Sequence, residues 1–310
     1  MQTRTAFVFP GQGSQKVGMG REFAERFPEA RAAFDEASQA LGIDLAQLCW
    51  EGPEEELALT ANTQPAILVA SLAIARVLAA RGVVPAAVAG HSLGEYSALV
   101  ASGVLTLGDA TRLVRRRGQL MQEAVPVGVG AMAAILGLTA TDVQTVCEQA
   151  AQGEICSVAN FNAPEQTVIA GHRGAVERAM ALAKERGAKR ALALPVSAPF
   201  HCALMHDARE GLGPDLAATP FADPRMPVVV NVDALPRLAG EDLRDALVRQ
   251  IDSPVRWVES IHLLVESLAI RRFVEVGPGS VLTGLIKRIA PEVEAISIAE
   301  PAALDKLEEG

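Results

Sequence analysis

The chain has little to offer a metal, a disulfide framework, a membrane or a nucleic acid. Its four cysteines, Cys49, Cys147, Cys156 and Cys202, are scattered with no C-x-x-C pair, so neither the usual zinc spacings nor a bridged extracellular scaffold is suggested. The longest uncharged apolar run, 67–75, ends at Arg76, well short of the roughly 20 residues that cross a bilayer. Met1-Gln2-Thr3-Arg4 leads straight into strand-like Ala6-Phe7-Val8-Phe9, without the charged start, apolar centre and cleavage site of a secretory signal. No internal repeat or low-complexity tract is visible. A formal net charge of -9 argues against nucleic acid and makes any polyanionic substrate depend on a local basic patch. The expectation is a cytoplasmic protein with no membrane contact, in which nothing demands more than a monomer.

What is present is enough for a large core. With 310 residues, 50% of them hydrophobic and 21% charged, the chain fits one large domain or a main domain carrying a smaller one. Strand and helix patterns alternate, and three glycine-rich corners follow short apolar runs: Phe7 through Gly13, Val88 through Ser92, and Phe273 through Gly279. Open α/β sheets assemble their sites at such corners. Helical patterns are read over 21–40 and, opened by Pro65, over 67–78. The acidic tail 301–310 is expected to be dispensable.

The most informative corner is Gly90-His91-Ser92-Leu93-Gly94, a G-x-S-x-G spacing directly after an apolar run. A serine whose hydroxyl projects from a sharp strand-to-helix turn needs small residues two before and two after it, so that the backbones can pass. Ser92 would then stand at a helix N-terminus, where free N–H groups stabilise charge developing on an attacked carbonyl. Phosphate-binding readings are weaker. Gly11-Gln12-Gly13 has Lys16 where the dinucleotide fingerprint needs its third glycine, Gly277-Pro278-Gly279 has Leu282 there, and neither is a Walker loop.

Residues 128–197 read differently, as strand (131–136), helix (141–151), strand (156–160), a turn at Asn162-Ala163-Pro164, strand (167–170), helix (174–186) and strand (190–196). That order, βαββαβ, is the ferredoxin-like unit. The expected division is a core of 1–127 and 198–310 with an inserted subdomain of 128–197, and a cleft where they meet. A serine nucleophile needs a base, and five histidines are available. His91, His172 and His262 read as structural. His201, in the irregular return to the core, can face the cleft, and His206 is not excluded by spacing. Asp252 is the naive partner for the histidine's other nitrogen.

Phe9 through Gln15, Gly90 through Leu99, Val158-Ala159-Asn160-Phe161-Asn162 and Val276-Gly277-Pro278-Gly279 together resemble the malonyl-CoA:acyl carrier protein transacylases, in order along nearly the whole chain. The resemblance implies an α/β-hydrolase-like parallel-sheet core with an inserted ferredoxin-like subdomain. It implies Ser92 as nucleophile, His201 as base, the backbone N–H groups of Gln12 and Leu93 as oxyanion hole, and the backbone carbonyl of Gln250, rather than Asp252, as the histidine's partner. Among the arginines of Arg112 through Gly118 it singles out Arg117. A malonyl group carries a free carboxylate, and a planar guanidinium holds one bidentately where an ordinary esterase needs nothing. Phe200 would narrow the space beside the α-carbon and favour malonyl over methylmalonyl.

The implied reaction moves malonyl from malonyl-CoA to Ser92 and on to the phosphopantetheine thiol of holo acyl carrier protein, for fatty acid synthesis. Coenzyme A thioester is a substrate, with no cofactor and no metal. Lys189, Arg190, Lys287 and Arg288 are candidate contacts for the anionic partners. The alternatives are a malonyltransferase serving a polyketide synthase or malonate decarboxylase, a serine hydrolase or thioesterase using water, and a non-catalytic carrier-binding module.

Overall fold

The computed structural model describes residues 3–196 and 198–307. Ten strands are found among them: β1 (Thr5–Phe9), β2 (Ala87–Gly90), β3 (Gly130–Leu136), β4 (Cys156–Ala163), β5 (Gln166–His172), β6 (Arg190–Ala193), β7 (Val228–Val229), β8 (Pro236–Arg237), β9 (Arg272–Val276) and β10 (Glu294–Ile298). They form two sheets, one of order β10-β9-β1-β2-β7-β8 and one of order β4-β5-β3-β6.

The first sheet is parallel from β10 to β7, with only β8 antiparallel at its edge. The strands β1, β2 and β9 are buried throughout or nearly so and are apolar apart from Thr5, Arg272 and Glu275, as expected when helices cover both faces of a sheet. The three glycine corners thus leave the C-terminal ends of three adjacent parallel strands, where crevices form in open α/β sheets. The fold class read from the sequence holds: a mixed α/β protein with a parallel-sheet core and a separate antiparallel sheet. That second sheet is antiparallel at every pairing, and helices Ala140–Ala151 and Arg173–Glu185 pack their apolar faces on it.

Several elements differ from the sequence reading. The helix expected over 21–40 is two, Arg21–Arg26 and Pro28–Leu41. Phe27 between them is extended at φ -129° and ψ 119°, as the residue before a proline prefers, and Pro28 opens the second helix where its missing N–H costs nothing. Pro65 does not open its helix but lies inside Thr60–Ala80. A proline there leaves the carbonyl four residues back unpaired. Arg115 Nη1 donates to that carbonyl, Ala61 O, at 3.0 Å, and also to Asn62 Oδ1.

Thr60–Ala80 is long and apolar enough to cross a membrane by length and composition, yet nearly all of it is buried, and it is the central helix of the main core. In the second sheet, β4 runs on through the expected turn to Ala163, and β6 stops at Ala193 rather than 196. The tail forms a 3-10 turn, Pro301–Leu307, with Leu304 3% exposed in the main core. It is a packed element, which bears on stability and leaves the expectation that the tail is dispensable for activity to be tested; residues 308–310 lie outside the described residues, as does Ser197 at the expected subdomain boundary.

Candidate active site

Ser92 lies between the end of β2 and the helix Gly94–Ser102, with φ at 52°, in the left-handed region. The glycines two before and two after it are forced by contact. A Cβ on Gly90 would collide with the Gly94 backbone, and one on Gly94 with the Phe9 carbonyl; backbone atoms cannot swing aside as a side chain can. The turn is strapped by Asn231, just past β7. Its Oδ1 accepts the Ser92 N–H at 2.7 Å and its Nδ2 donates to Gly90 O at 2.7 Å, while its own N–H is held by Glu95 Oε2 at 2.7 Å.

His201 is brought to the serine by the return from the second sheet. Its Nε2 is 2.7 Å from Ser92 Oγ, and its Nδ1 donates to the backbone carbonyl of Gln250 at 3.0 Å. That bond fixes the tautomer, leaving the Nε2 lone pair facing the hydroxyl. His201 is 3% exposed and has φ 59°. Burial, then the charge of Arg117, push its pKa down to about 3, with the Gln250 carbonyl opposing in part. A base so placed stays neutral and able to accept a proton far into acid.

The other histidines lie elsewhere. His206 is 62% exposed and faces Asp252 at 3.7 Å. Asp252 also pairs with Arg209 at 3.3 Å and is not the partner of His201. His172 Nδ1 accepts the Ile155 N–H, and His262 faces Glu266. His91 Nε2 donates to Asn162 Oδ1 at 2.8 Å, with its ring edge-on to Trp257. It borders the site without facing the serine oxygen.

Arg117, on helix Leu107–Glu123, is 2% exposed. Its Nη2 lies 3.2 Å from Ser92 Oγ and 3.0 Å from Gln250 Oε1, its Nη1 donates to Gln64 Oε1 at 2.8 Å, and its guanidinium lies over the Tyr96 ring at 5.7 Å. Gln250 therefore serves three groups at once, since its Nε2 also donates to Ser92 O at 3.0 Å. Ser92's own N–H is occupied by Asn231, whereas the N–H of Leu93 has no hydrogen-bond partner among the described residues. The N–H of Gln12, in the turn after β1, likewise has none among them; its side chain is held by Thr60 Oγ1 at 3.2 Å. Phe200 is buried in the main core beside His201 in the chain.

Beyond the pair, Gln12, His91, Asn160, Asn162 and Leu194 line a cavity of about 210 Å³ between the two sheets. A larger, mostly apolar cavity of about 630 Å³, lined by Phe7, Arg76, Val84 and Met226, shares no residue with the site. Lys189 and Arg288 border one cavity at the junction of the sheets; Lys189 pairs with Glu165 and Arg288 with Gln166.

Sequence reasoning missed Gln64, Asn231 and the part played by Glu95. Each had a signal: a polar residue where apolar ones are expected, in the first turns of an apolar helix, after the run Val228-Val229-Val230, and at the start of a buried helix. The arrangement can deprotonate a hydroxyl, stabilise an oxyanion and hold an acid group, all within reach of one oxygen.

The sequence model of the Acyl transferase domain matches residues 6–304. The malonyl CoA-acyl carrier protein transacylase of Escherichia coli strain K12 is 53% identical over 303 residues, 97% of this chain and 98% of that one. The crystal structure of an acyl carrier protein S-malonyltransferase from Vibrio cholerae O1 is 50% identical with a TM-score of 0.96, covering 98% of this chain and 100% of that chain. A malonyl-transacylase solved in complex with its type II PKS acyl-carrier protein is 50% identical with a TM-score of 0.97, covering 99% and 100%.

Proposed function

Because the chain belongs to the acyl transferase domain family, we propose that it transfers the malonyl group of malonyl-CoA to the phosphopantetheine thiol of holo acyl carrier protein, supplying fatty acid synthesis. The observation that carries this reading is the buried Arg117 guanidinium 3.2 Å from the oxygen of a serine paired with histidine at 2.7 Å. Hydrolysis of an uncharged ester needs no such cation, whereas a malonyl group brings a carboxylate that must be matched in a water-poor site.

In the first half-reaction His201 Nε2 takes the Ser92 proton as Oγ attacks the thioester carbonyl. The N–H groups of Leu93 and Gln12 receive the oxyanion while Arg117 holds the distal carboxylate. Collapse breaks the C–S bond, His201 returns the proton to the leaving coenzyme A thiolate, and a malonyl ester remains on Ser92. In the second half the carrier's thiol gives its proton to His201, attacks the ester and leaves with the malonyl group, and Ser92 recovers its proton from His201. Gln250 holds the imidazole through its carbonyl and Arg117 through its amide. Coenzyme A thioester is substrate, and family members act without a cofactor.

The cavity bordered by Gln12, Asn160 and Asn162 offers a route for a pantetheine arm, with residues 128–197 as the lobe that closes it. Lys189, Arg190, Lys287 and Arg288 offer cations to either anionic partner, and Phe200 narrows the acyl end against methylmalonyl. The reaction belongs in the cytoplasm, with the enzyme acting as a monomer.

The test is intact-protein mass after mixing with malonyl-CoA, methylmalonyl-CoA or acetyl-CoA, followed by holo acyl carrier protein. A malonyl adduct that discharges only onto the carrier is the expected result. An adduct lost equally fast without carrier makes the protein a hydrolase, and no adduct from malonyl-CoA removes the roles given to Ser92 and Arg117.

A further inference from the structure

Arg117 carries a buried charge, and every acceptor found on it is neutral: Gln64 Oε1 on Nη1, and Gln250 Oε1 and Ser92 Oγ on Nη2. Glu95 is the acid whose charge acts on it, but that carboxyl is turned to the Asn231 N–H. Burial also raises its pKa to about 7, which weakens it as a counter-ion. The guanidinium thus waits with its charge unmatched.

Gln64 is the unexplained member of this group. It is 1% exposed, in the first turns of the otherwise apolar helix Thr60–Ala80. Apart from Arg117, its contact is Met121 Sδ at 4.0 Å from Nε2, a weak acceptor. A buried amide with one good hydrogen bond gains little over a hydrophobic side chain of similar size. For stability alone, glutamate would serve better beside a buried arginine, through a charge-assisted bond. Glutamine holds the guanidinium just as firmly in space without cancelling its charge.

We propose that Gln64 is a specificity-determining residue, whose neutral amide fixes Arg117 beside Ser92 while leaving the guanidinium charge for the free carboxylate of the acyl donor. Selection for malonyl over an uncharged acyl group is then set jointly by the arginine and by the neutrality of what holds it. The inference rests on the malonyl-transfer reading and deepens it. Gln64 does not touch the reacting atoms; it acts through Arg117.

The experiment compares the second-order rate constants for acylation of Ser92 by malonyl-CoA and by acetyl-CoA, read by intact mass, in the parent, Gln64→Glu and Gln64→Leu. KM and kcat for transfer to holo acyl carrier protein are measured alongside. In Gln64→Glu the new carboxylate occupies Arg117, and the malonyl-to-acetyl ratio falls by about 30-fold or more, chiefly through KM for malonyl-CoA. In Gln64→Leu the charge survives but is less well aimed, and the ratio falls by about fivefold. A Gln64→Glu ratio within about threefold of the parent overturns the proposal, as does an equal loss toward both donors, which is what a purely structural residue would give. If Gln64→Glu does not fold, as read by circular dichroism, Gln64→Leu decides, and an unchanged ratio there overturns it. A parent protein that takes no malonyl from malonyl-CoA fails the functional reading itself, and is distinguished by that control.

Discussion

The charge of Arg117 bears on His201 as well as on the carboxylate it is proposed to hold. Its positive charge is the second cause, after burial, of the lowered His201 pKa. Replacing Arg117 by glutamine removes that charge, so the His201 pKa rises and the imidazole becomes protonated at a higher pH. The acid limb of the pH–rate profile for acylation by acetyl-CoA is expected to move toward neutral, while malonylation falls by about 100-fold or more. An acid limb that stays in place would separate the two groups electrostatically.

Stability follows the same groups with opposite signs. His201 binds fewer protons folded than unfolded between about pH 3 and its ordinary 6.5, so its contribution rises with pH across that window and is lost on acidification. Glu95, raised from 4.5 to about 7, binds more protons folded, and its contribution is lost as pH rises through 7. Between about pH 4.5 and 6.5 the two oppose each other. Glu95→Gln removes the falling member, so its urea midpoint is expected to rise from pH 5 to pH 8 more steeply than the parent's. Of these residues, Ser92 was legible because a strand-to-helix turn has a glycine signature. His201 was not separable from His206 by spacing, because only the return path of the chain decides which ring faces inward. Gln64 stood out only as a polar residue in an apolar helix, a signal that does not say which group its amide meets.

The elements explain why the site keeps its shape before any substrate arrives. The elbow is pinned from outside, by Asn231 beyond β7, and from beneath, where Gly94 meets the Phe9 carbonyl of β1. Gly94→Ala sets a methyl group against that carbonyl and has to push β1 and the helix Gly94–Ser102 apart. A loss of about 3 kcal/mol or more in denaturant unfolding is expected, with acylation of Ser92 abolished in the fraction that remains folded. Strand and helix existence was readable at the three glycine corners, in the helices before Gly90 and through 128–196, because buried strands write unbroken apolar runs and covering helices write a 3.6 period, whereas the short strands β7 and β8 and the strand β10 were not read. The boundaries were less so. Phe27 breaks a pattern that stays amphipathic across it, and Pro65 is tolerated in mid-helix because Arg115, 50 positions further on, occupies the carbonyl it frees. Compensation at that sequence distance cannot be read locally.

At the scale of the whole molecule, the two sheets share a cavity between them and the tail packs on the main core away from it. The tail read as an expendable acidic end from its charges, yet Pro301 and Leu304 are buried. Truncation after Glu300 uncovers the surface that Leu304 fills and is expected to lower stability by about 2–4 kcal/mol in urea unfolding. Malonylation of the remaining folded protein should be kept, because no residue of Pro301–Leu307 is among those gathered at Ser92. Only β1 and β2 of the large sheet's six strands precede the second sheet in the chain. The first of these strands in sequence order, Thr5–Phe9, is flanked in the finished sheet by Ala87–Gly90 and by Arg272–Val276. Through most of its synthesis the growing polypeptide therefore carries an apolar strand with one open edge, and a serine made well before the histidine it pairs with. The group around Ser92 is complete only once Gln250 has been made, so a translation product that ends before it is expected to be inert and prone to self-association.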